Sequence, residues 1–189
     1  FFPCMQKFRT GGYDGKGVQS LKSNEDLERA FDAPSILESW VDFSSELAVR
    51  VARNGDGQVV TFPAVDMEFN PEANLVEFLF SPANVSAEIE KKASEIAVKV
   101  AESLQIVGLL AVEMFLTKNG EILVNEIAPR PHNSGHHSIE ANYTSQYEQH
   151  LRAILNLPLG STAIYSPAVM VNLLGEKDFS GNVLYEGLN

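Results

Sequence analysis

The 189-residue chain contains one cysteine, Cys4, and has 14 basic residues against 25 acidic ones. A lone cysteine closes no internal disulfide, which points to a reducing compartment, the cytoplasm. The formal charge of −11 argues against nucleic-acid and anionic-membrane partners, since both carry the same sign. No uninterrupted apolar run reaches membrane length, no signal peptide is discernible, and no repeat or low-complexity tract stands out. Two phosphate-binding signatures are missing as well: there is no Gly-x-x-x-x-Gly-Lys-Ser/Thr and no Gly-x-Gly-x-x-Gly opening a helix. His136 and His137 have no second cluster of soft ligands beside them, so a zinc site is not expected. With Asn133 they either line a site or cap a turn.

What the chain does have is concentrated in Asn125-Glu126-Ile127-Ala128-Pro129-Arg130-Pro131-His132-Asn133-Ser134-Gly135-His136. Pro129 and Pro131 cannot donate to a sheet ladder, so a strand reaching Glu126 must end nearby. A stiff polar segment just past a strand end is where α/β proteins tend to place ligands. Upstream, the apolar run Leu109–Leu116, broken only by Glu113, and the run Glu121–Ile127 flank Thr117-Lys118-Asn119-Gly120. Asn-Gly predicts a two-residue type I′ hairpin. That turn pairs Lys118 with Glu121, Phe115 with Val124, and Glu113 with Glu126. Carboxylates opposed in this way, with Cβ atoms roughly 4.5–5.5 Å apart, repel unless a divalent cation lies between them or one is protonated. Oxygen-only ligands suit Mg²⁺, which usually brings substrate phosphates with it. The alternative is a slipped register, or a face open to water on which repulsion is weak.

Gly11-Gly12-Tyr13-Asp14-Gly15-Lys16-Gly17 is the candidate phosphate partner, since four glycines let backbone N–H groups approach an anion and Lys16 adds charge. Lys7 lies four residues upstream. A short strand ending in Glu38 offers backbone to an adenine edge and a carboxylate to ribose hydroxyls. Trp40 and Val41 read as core or rim residues, and Glu46 starts the next strand.

The remaining pattern is mixed. One helix is expected near Asn24–Phe31, capped by Ser23 or Asn24, and a hairpin turns at Asn54-Gly55-Asp56-Gly57. Ile89, Ala93, Ile96, Ala97, Val100 and Leu104 recur at helical spacing within Ser86–Leu104. A further helix begins at Ser145, where Ser145-x-x-Glu148 forms a capping box, and stops before Pro158. Its expected buried stripe is Tyr147, Leu151, Ile154 and Leu155, with His150 and Arg152 facing outward. The class is α+β, and 44% hydrophobic content suffices for one substantial core or two small lobes sharing a cleft.

These motifs resemble the ATP-grasp portion of the N5-carboxyaminoimidazole ribonucleotide synthetase family. The resemblance is carried by Gly12–Gly17, Glu38 with Glu46, Val112-Glu113-Met114-Phe115, Asn125–His136, Thr144–Ile154 and Leu157-Pro158-Leu159-Gly160, and it covers nearly the whole chain. It implies a small-lobe part at 1–45, a large lobe at 46–160, and the start of a truncated C-terminal β-domain at 161–189. The chain is then expected to be a fragment without the family's N-terminal nucleotide-fold domain. By resemblance, Glu113 and Glu126 bind Mg²⁺ (two ions) bridging the ATP phosphates. Lys7, Gly12, Gly15 and Lys16 contact phosphate, and Glu38, Val41 and Glu46 the adenosine. Tyr13, Asp14, Arg130, Asn133 and Ser134 hold bicarbonate and 5-aminoimidazole ribonucleotide. Arg130, Asp14, His132 and Asn133 are the implied catalytic set. The implied reaction is ATP-dependent carboxylation of the ribonucleotide's exocyclic amine through carboxyphosphate, in a protein that is a homodimer when whole. The nearest alternative is the formate-dependent glycinamide ribonucleotide transformylase, whose flap typically carries serines. A non-catalytic nucleotide-binding module is the rival from another class.

Overall fold

A computed structural model describes residues 2–12, 17–70, 75–173 and 181–182. Tyr13, Asp14, Gly15 and Lys16 of the glycine-rich loop lie outside the described residues. Two antiparallel sheets organise the rest. In the small one, β1 (Cys4–Phe8) runs between β2 (Val18–Leu21) and β3 (Ser35–Ser39). The helix expected at Asn24–Phe31 is a 3₁₀ segment, Asn24–Arg29, capped by Ser23. It buries none of its residues, so no packing face rewards extension into an α-helix.

The large sheet is built on β4 (Phe43–Arg53). One side of β4 pairs with β5 (Val59–Thr61) and β6 (Val65–Asn70), and the other pairs with β8 (Gly108–Thr117). Outward from β6 lie β7 (Leu75–Ser81) and β10 (Ala168–Val171), and beyond β8 lies β9 (Ile122–Ala128). Ala168–Val171 thus forms the edge of this sheet, antiparallel to β7.

Strand alternation assigns the two faces. Leu47, Val49 and Val51 of β4 and Leu110, Val112 and Met114 of β8 pack on α1 (Ala87–Ser103) through Ala93, Ala97 and Ala101. Small side chains along that helical stripe let the helix lie close to the sheet. The intervening residues, Glu46, Ala48 and Arg50 of β4 with Ala111 and Glu113 of β8, face the opposite side. Segment 132–142 and α3 (Gln146–Ile154) lie on that side; Ser138–Ala141 is a single turn, α2.

Two expectations need correction. The β8–β9 hairpin is not a type I′ turn, because of its loop residues only Gly120 has positive φ, at 78°. Thr117 N donates to Glu121 O at 2.9 Å and Gly120 N to Thr117 O at 3.0 Å, giving a three-residue loop closed by a left-handed glycine. Phe115 therefore faces Leu123 rather than Val124. A bulge after Glu113 then absorbs one residue, Asn125, and brings Glu113 back opposite Glu126.

The stripe of α3 is also reversed. Gln146, Gln149 and Ala153 are buried, and His150 turns inward so that its Nδ1 accepts from Leu109 N at 3.1 Å. Tyr147, Leu151, Ile154 and Leu155 are 38–63% exposed. The polar face packs on the sheet because each buried amide finds backbone partners there, which removes the usual cost of burying it. Ser145 does cap the helix through Glu148 N, but the Glu148 carboxylate binds Arg152 rather than completing a capping box.

Candidate active site

Glu113 is 8% exposed and stands between Ala48 of β4 and Glu126 of β9. Glu46 shares its sheet face. Burial, and then the charges of Glu126 and Glu46, push the Glu113 carboxyl up to about 7, against the pull of Arg130 and Lys7. Burial, and then Glu126, likewise raise Glu46 to about 7, opposed by Lys7. Burial and mutual repulsion across neighbouring strands thus favour the protonated forms of Glu113 and Glu46.

Lys7 enters this cluster from the small sheet. Its ammonium lies 2.7 Å from Glu38 Oε2 and donates to Asn125 Oδ1 at 3.0 Å. Asn125 is the residue the bulge absorbs, so the irregularity that aligns the two glutamates also furnishes a polar tie between the sheets. Glu38 is therefore an ion-pair partner of Lys7 in this state. Val41 is half-buried, Gly12 is exposed and Trp40 is 44% exposed. Gly17 ends the loop at φ 86°, where a Cβ would meet the Phe8 ring at 2.7 Å.

The proline-bordered segment folds back over Glu113. His132 opens the 3₁₀ turn Asn133–Gly135, and its Nδ1 accepts from Ser134 N at 3.3 Å. A backbone amide can only donate, so the ring proton sits on Nε2, 3.2 Å from Glu113 Oε1. Burial first, then nearby Arg130, Arg50 and His136, lower the His132 pKa to about 4. The contact is thus a neutral imidazole donating to a carboxylate.

Ser134 is buried, and Asn133 is half-buried with its carbonyl accepting from His136 N. Arg130 is exposed and bonds the Pro131 carbonyl at 3.0 Å. His136 is exposed and pairs with the Tyr147 hydroxyl at 2.6 Å, whereas His137 is buried with neither ring nitrogen partnered.

Sequence reasoning missed Arg50 and Gln146. Arg50 is fully buried; its Nη1 donates to Ser134 O at 2.7 Å and its guanidinium lies 4.9 Å from the Phe62 ring centroid. The available signal was a single charge inside the apolar run Leu47–Ala52.

The donor chemistry fits Mg²⁺. Among the described residues no three His, Cys, Asp or Glu side chains converge as a metal site. Two facing carboxylates leave the other coordination positions to phosphate oxygens and water, as Mg²⁺ prefers. Among the described residues no helix is long and apolar enough to cross a membrane.

Residues 1–147 match the ATP-grasp domain family. The N5-carboxyaminoimidazole ribonucleotide synthase of Bacillus subtilis (strain 168) is 48% identical over 180 residues, spanning 93% of this chain and 47% of that protein. The chain thus spans about half the length of that curated relative. The crystal structure of the N5-carboxyaminoimidazole ribonucleotide synthetase from Thermotoga maritima is similar at TM-score 0.85 and 51% identity, covering 95% of this chain and 46% of that one. The Aspergillus clavatus N5-carboxyaminoimidazole synthase, in complex with ADP and 5-aminoimidazole ribonucleotide, is similar at TM-score 0.85 and 37% identity, covering 93% of this chain and 46% of that one.

Proposed function

Because this chain belongs to the ATP-grasp family, we propose that its whole protein carboxylates 5-aminoimidazole ribonucleotide with bicarbonate at the expense of ATP. The observation that carries this reading is the pairing of Glu113 opposite Glu126, with Glu46 on the same sheet face, Lys7 reaching Asn125 from the small sheet, and the neutral His132 against Glu113. The similar A. clavatus synthase is in complex with ADP and 5-aminoimidazole ribonucleotide, which supports this choice of nucleotide and acceptor.

In this reading Glu113 and Glu126 hold Mg²⁺, two ions when the nucleotide is bound, which offsets charge on the phosphates. Lys7, with Gly12, Gly15 and Lys16 of the flap, faces the phosphates. Glu38, Val41 and Glu46 border the adenosine. The γ-phosphoryl group passes to a bicarbonate oxygen, giving ADP and carboxyphosphate. Attack by the exocyclic amine on its carbonyl carbon then forms the N–C bond, expels phosphate and releases the amine proton. Arg130 suits bidentate capture of an anionic oxygen. Tyr13, Asp14, Asn133 and Ser134 complete the acceptor site, with His132 at the junction of metal and acceptor. Carboxyphosphate hydrolyses readily, so a flap that excludes water serves the reaction. The partners are small molecules in a cytoplasmic homodimer, with no nucleic acid or membrane involved.

The test is ADP release by the full-length protein. Release that requires aminoimidazole ribonucleotide and bicarbonate supports the reading. Release that requires glycinamide ribonucleotide and formate assigns the sister transformylase reaction instead. No nucleotide turnover with either pair supports a binding module.

A further inference from the structure

We infer that Gln146 is a positioning residue that sets His132 against Glu113, an inference that rests on the acceptor-site reading above for its kinetic consequence. The Gln146 side chain is fully buried, and its amide lies along the main chain of His132. His132 N donates to Gln146 Oε1 at 2.9 Å, and Gln146 Nε2 donates to His132 O at 2.8 Å. A side-chain amide thus mimics a neighbouring β-strand and satisfies both backbone groups of one residue. That residue follows Pro131, which has no N–H to contribute.

The clamp is itself braced. Gln146 N donates to Ser138 Oγ at 2.9 Å, and Ser138 Oγ donates to Gly135 O. Arg50 fixes Ser134 O from beneath. A Cβ on Gly135 would collide with the Gln146 amide and come within 2.8 Å of Arg50 Cδ. With the backbone of residues 132–135 held at three points, the His132 ring has little freedom. Ser134 N then selects its tautomer and leaves Nε2–H for Glu113.

One turn along the same helix, Gln149 makes the same clamp on a different target. Gln149 Nε2 donates to Gly160 O at 2.8 Å and Gly160 N donates to Gln149 Oε1 at 2.9 Å. Gly160 adjoins Leu159, which packs with Ala52, Phe62 and Leu109. Gln149 is equally buried and bonds none of residues 132–135. It provides an internal control of matched chemistry, since both substitutions remove a buried amide pair and only one of them holds His132.

The experiment compares Gln146→Met and Gln149→Met in the full-length protein, with Gln146→Glu as a milder variant that keeps the acceptor for His132 N. Two measurements are made. In ¹⁵N-histidine spectra, His132 of the parent shows a single tautomer protonated at Nε2. The inference expects Gln146→Met to shift or split that signal and Gln149→Met to leave it in place. In steady-state assays, Gln146→Met is expected to lower kcat and raise the acceptor KM, about tenfold or more in kcat/KM. The ATP KM should stay within about twofold, and Gln149→Met should lose stability alone. If Gln146→Met does not fold, Gln146→Glu carries both readouts, with an effect in the same direction. Identical His132 spectra for parent, Gln146 and Gln149 variants would overturn the inference. So would equal kinetic losses at the two glutamines. A parent protein inactive with aminoimidazole ribonucleotide and bicarbonate would instead sink the functional reading, and the spectra would still decide whether Gln146 positions the ring.

Discussion

His132 Nε2 lies 3.2 Å from Glu113 Oε1, yet the two groups are not an ion pair at neutral pH. Burial keeps the imidazole neutral, with its pKa near 4, while burial and carboxylate neighbours raise Glu113 to about 7. Each group is pushed toward its uncharged form, so the contact is held by a hydrogen bond rather than by opposite charges.

The pH dependence of stability follows directly. The folded pKa of Glu113, about 7, exceeds its ordinary value of 4.5, so between these values the folded state binds more protons than the unfolded one. Stability contributed by this group is present below pH 4.5 and is lost as pH rises through 7. Glu113→Gln removes the liability and keeps an acceptor for His132. Relative to the parent without Mg²⁺, the variant should gain roughly 2–3 kcal/mol between pH 4.5 and 8. Urea denaturation at several pH values measures it, and a pH-independent difference between the two proteins would contradict the assignment.

Glu126 tests the cation itself. Removing one charged oxygen ligand forfeits roughly 1.5–3 kcal/mol, equivalent to about tenfold or more in affinity. Calorimetric titration of a non-hydrolysable ATP analogue should show that loss in Glu126→Gln when Mg²⁺ is present and little change when it is absent. If the glutamates merely share a wet face, the variant will bind Mg²⁺-nucleotide as the parent does.

Gly135 and Gly120 should respond to alanine for different reasons. At Gly135 the new Cβ meets the Gln146 amide and Arg50, an overpacking cost of about 1–3 kcal/mol. Gly135→Ala should also displace residues 132–135 and reduce turnover. At Gly120 nothing lies within 4 Å of the new Cβ, and only the φ of 78° opposes it; the cost is about 1–2 kcal/mol, with nucleotide binding unaffected. Thermal melts alongside nucleotide titrations separate the two behaviours.

How far the sequence foretold this site depends on which interactions are local. Glu113 was legible opposite Glu126 because a hairpin couples neighbours in sequence. The turn type was misread by one residue, and the bulge at Asn125, which no periodicity signals, cancelled the error. The helix at Ala87–Ser103 was legible because its small apolar stripe meets only the sheet. The orientation of α3 was not, because hydrophobic period favours Tyr147, Leu151, Ile154 and Leu155. The helix turns the other way to give two glutamine amides their backbone partners on His132 and Gly160. Such pairings span 11 to 14 residues and depend on geometry that no window of sequence contains.

His137 offers the complementary acid-side test. It is 6% exposed, neither ring nitrogen has a partner, and burial with Arg50 and His136 lowers its pKa to about 3. A histidine whose folded pKa lies below its unfolded value of about 6.5 favours the folded state least at low pH. The unfolded chain takes up the proton first, so stability is lost as pH falls from 6.5 toward 3. His137→Leu abolishes that uptake at similar side-chain volume and leaves no unsatisfied nitrogen. At pH 7.5 the substitution should be close to neutral, within about 1 kcal/mol, because an unpartnered buried polar group contributes little that an apolar one does not. At pH 4 the variant should be more stable than the parent by roughly 2–3 kcal/mol. His132 titrates in the same direction but is common to both proteins, so the difference between their unfolding curves isolates residue 137. A variant as acid-sensitive as the parent would mean that His137 exchanges its proton freely in the folded state.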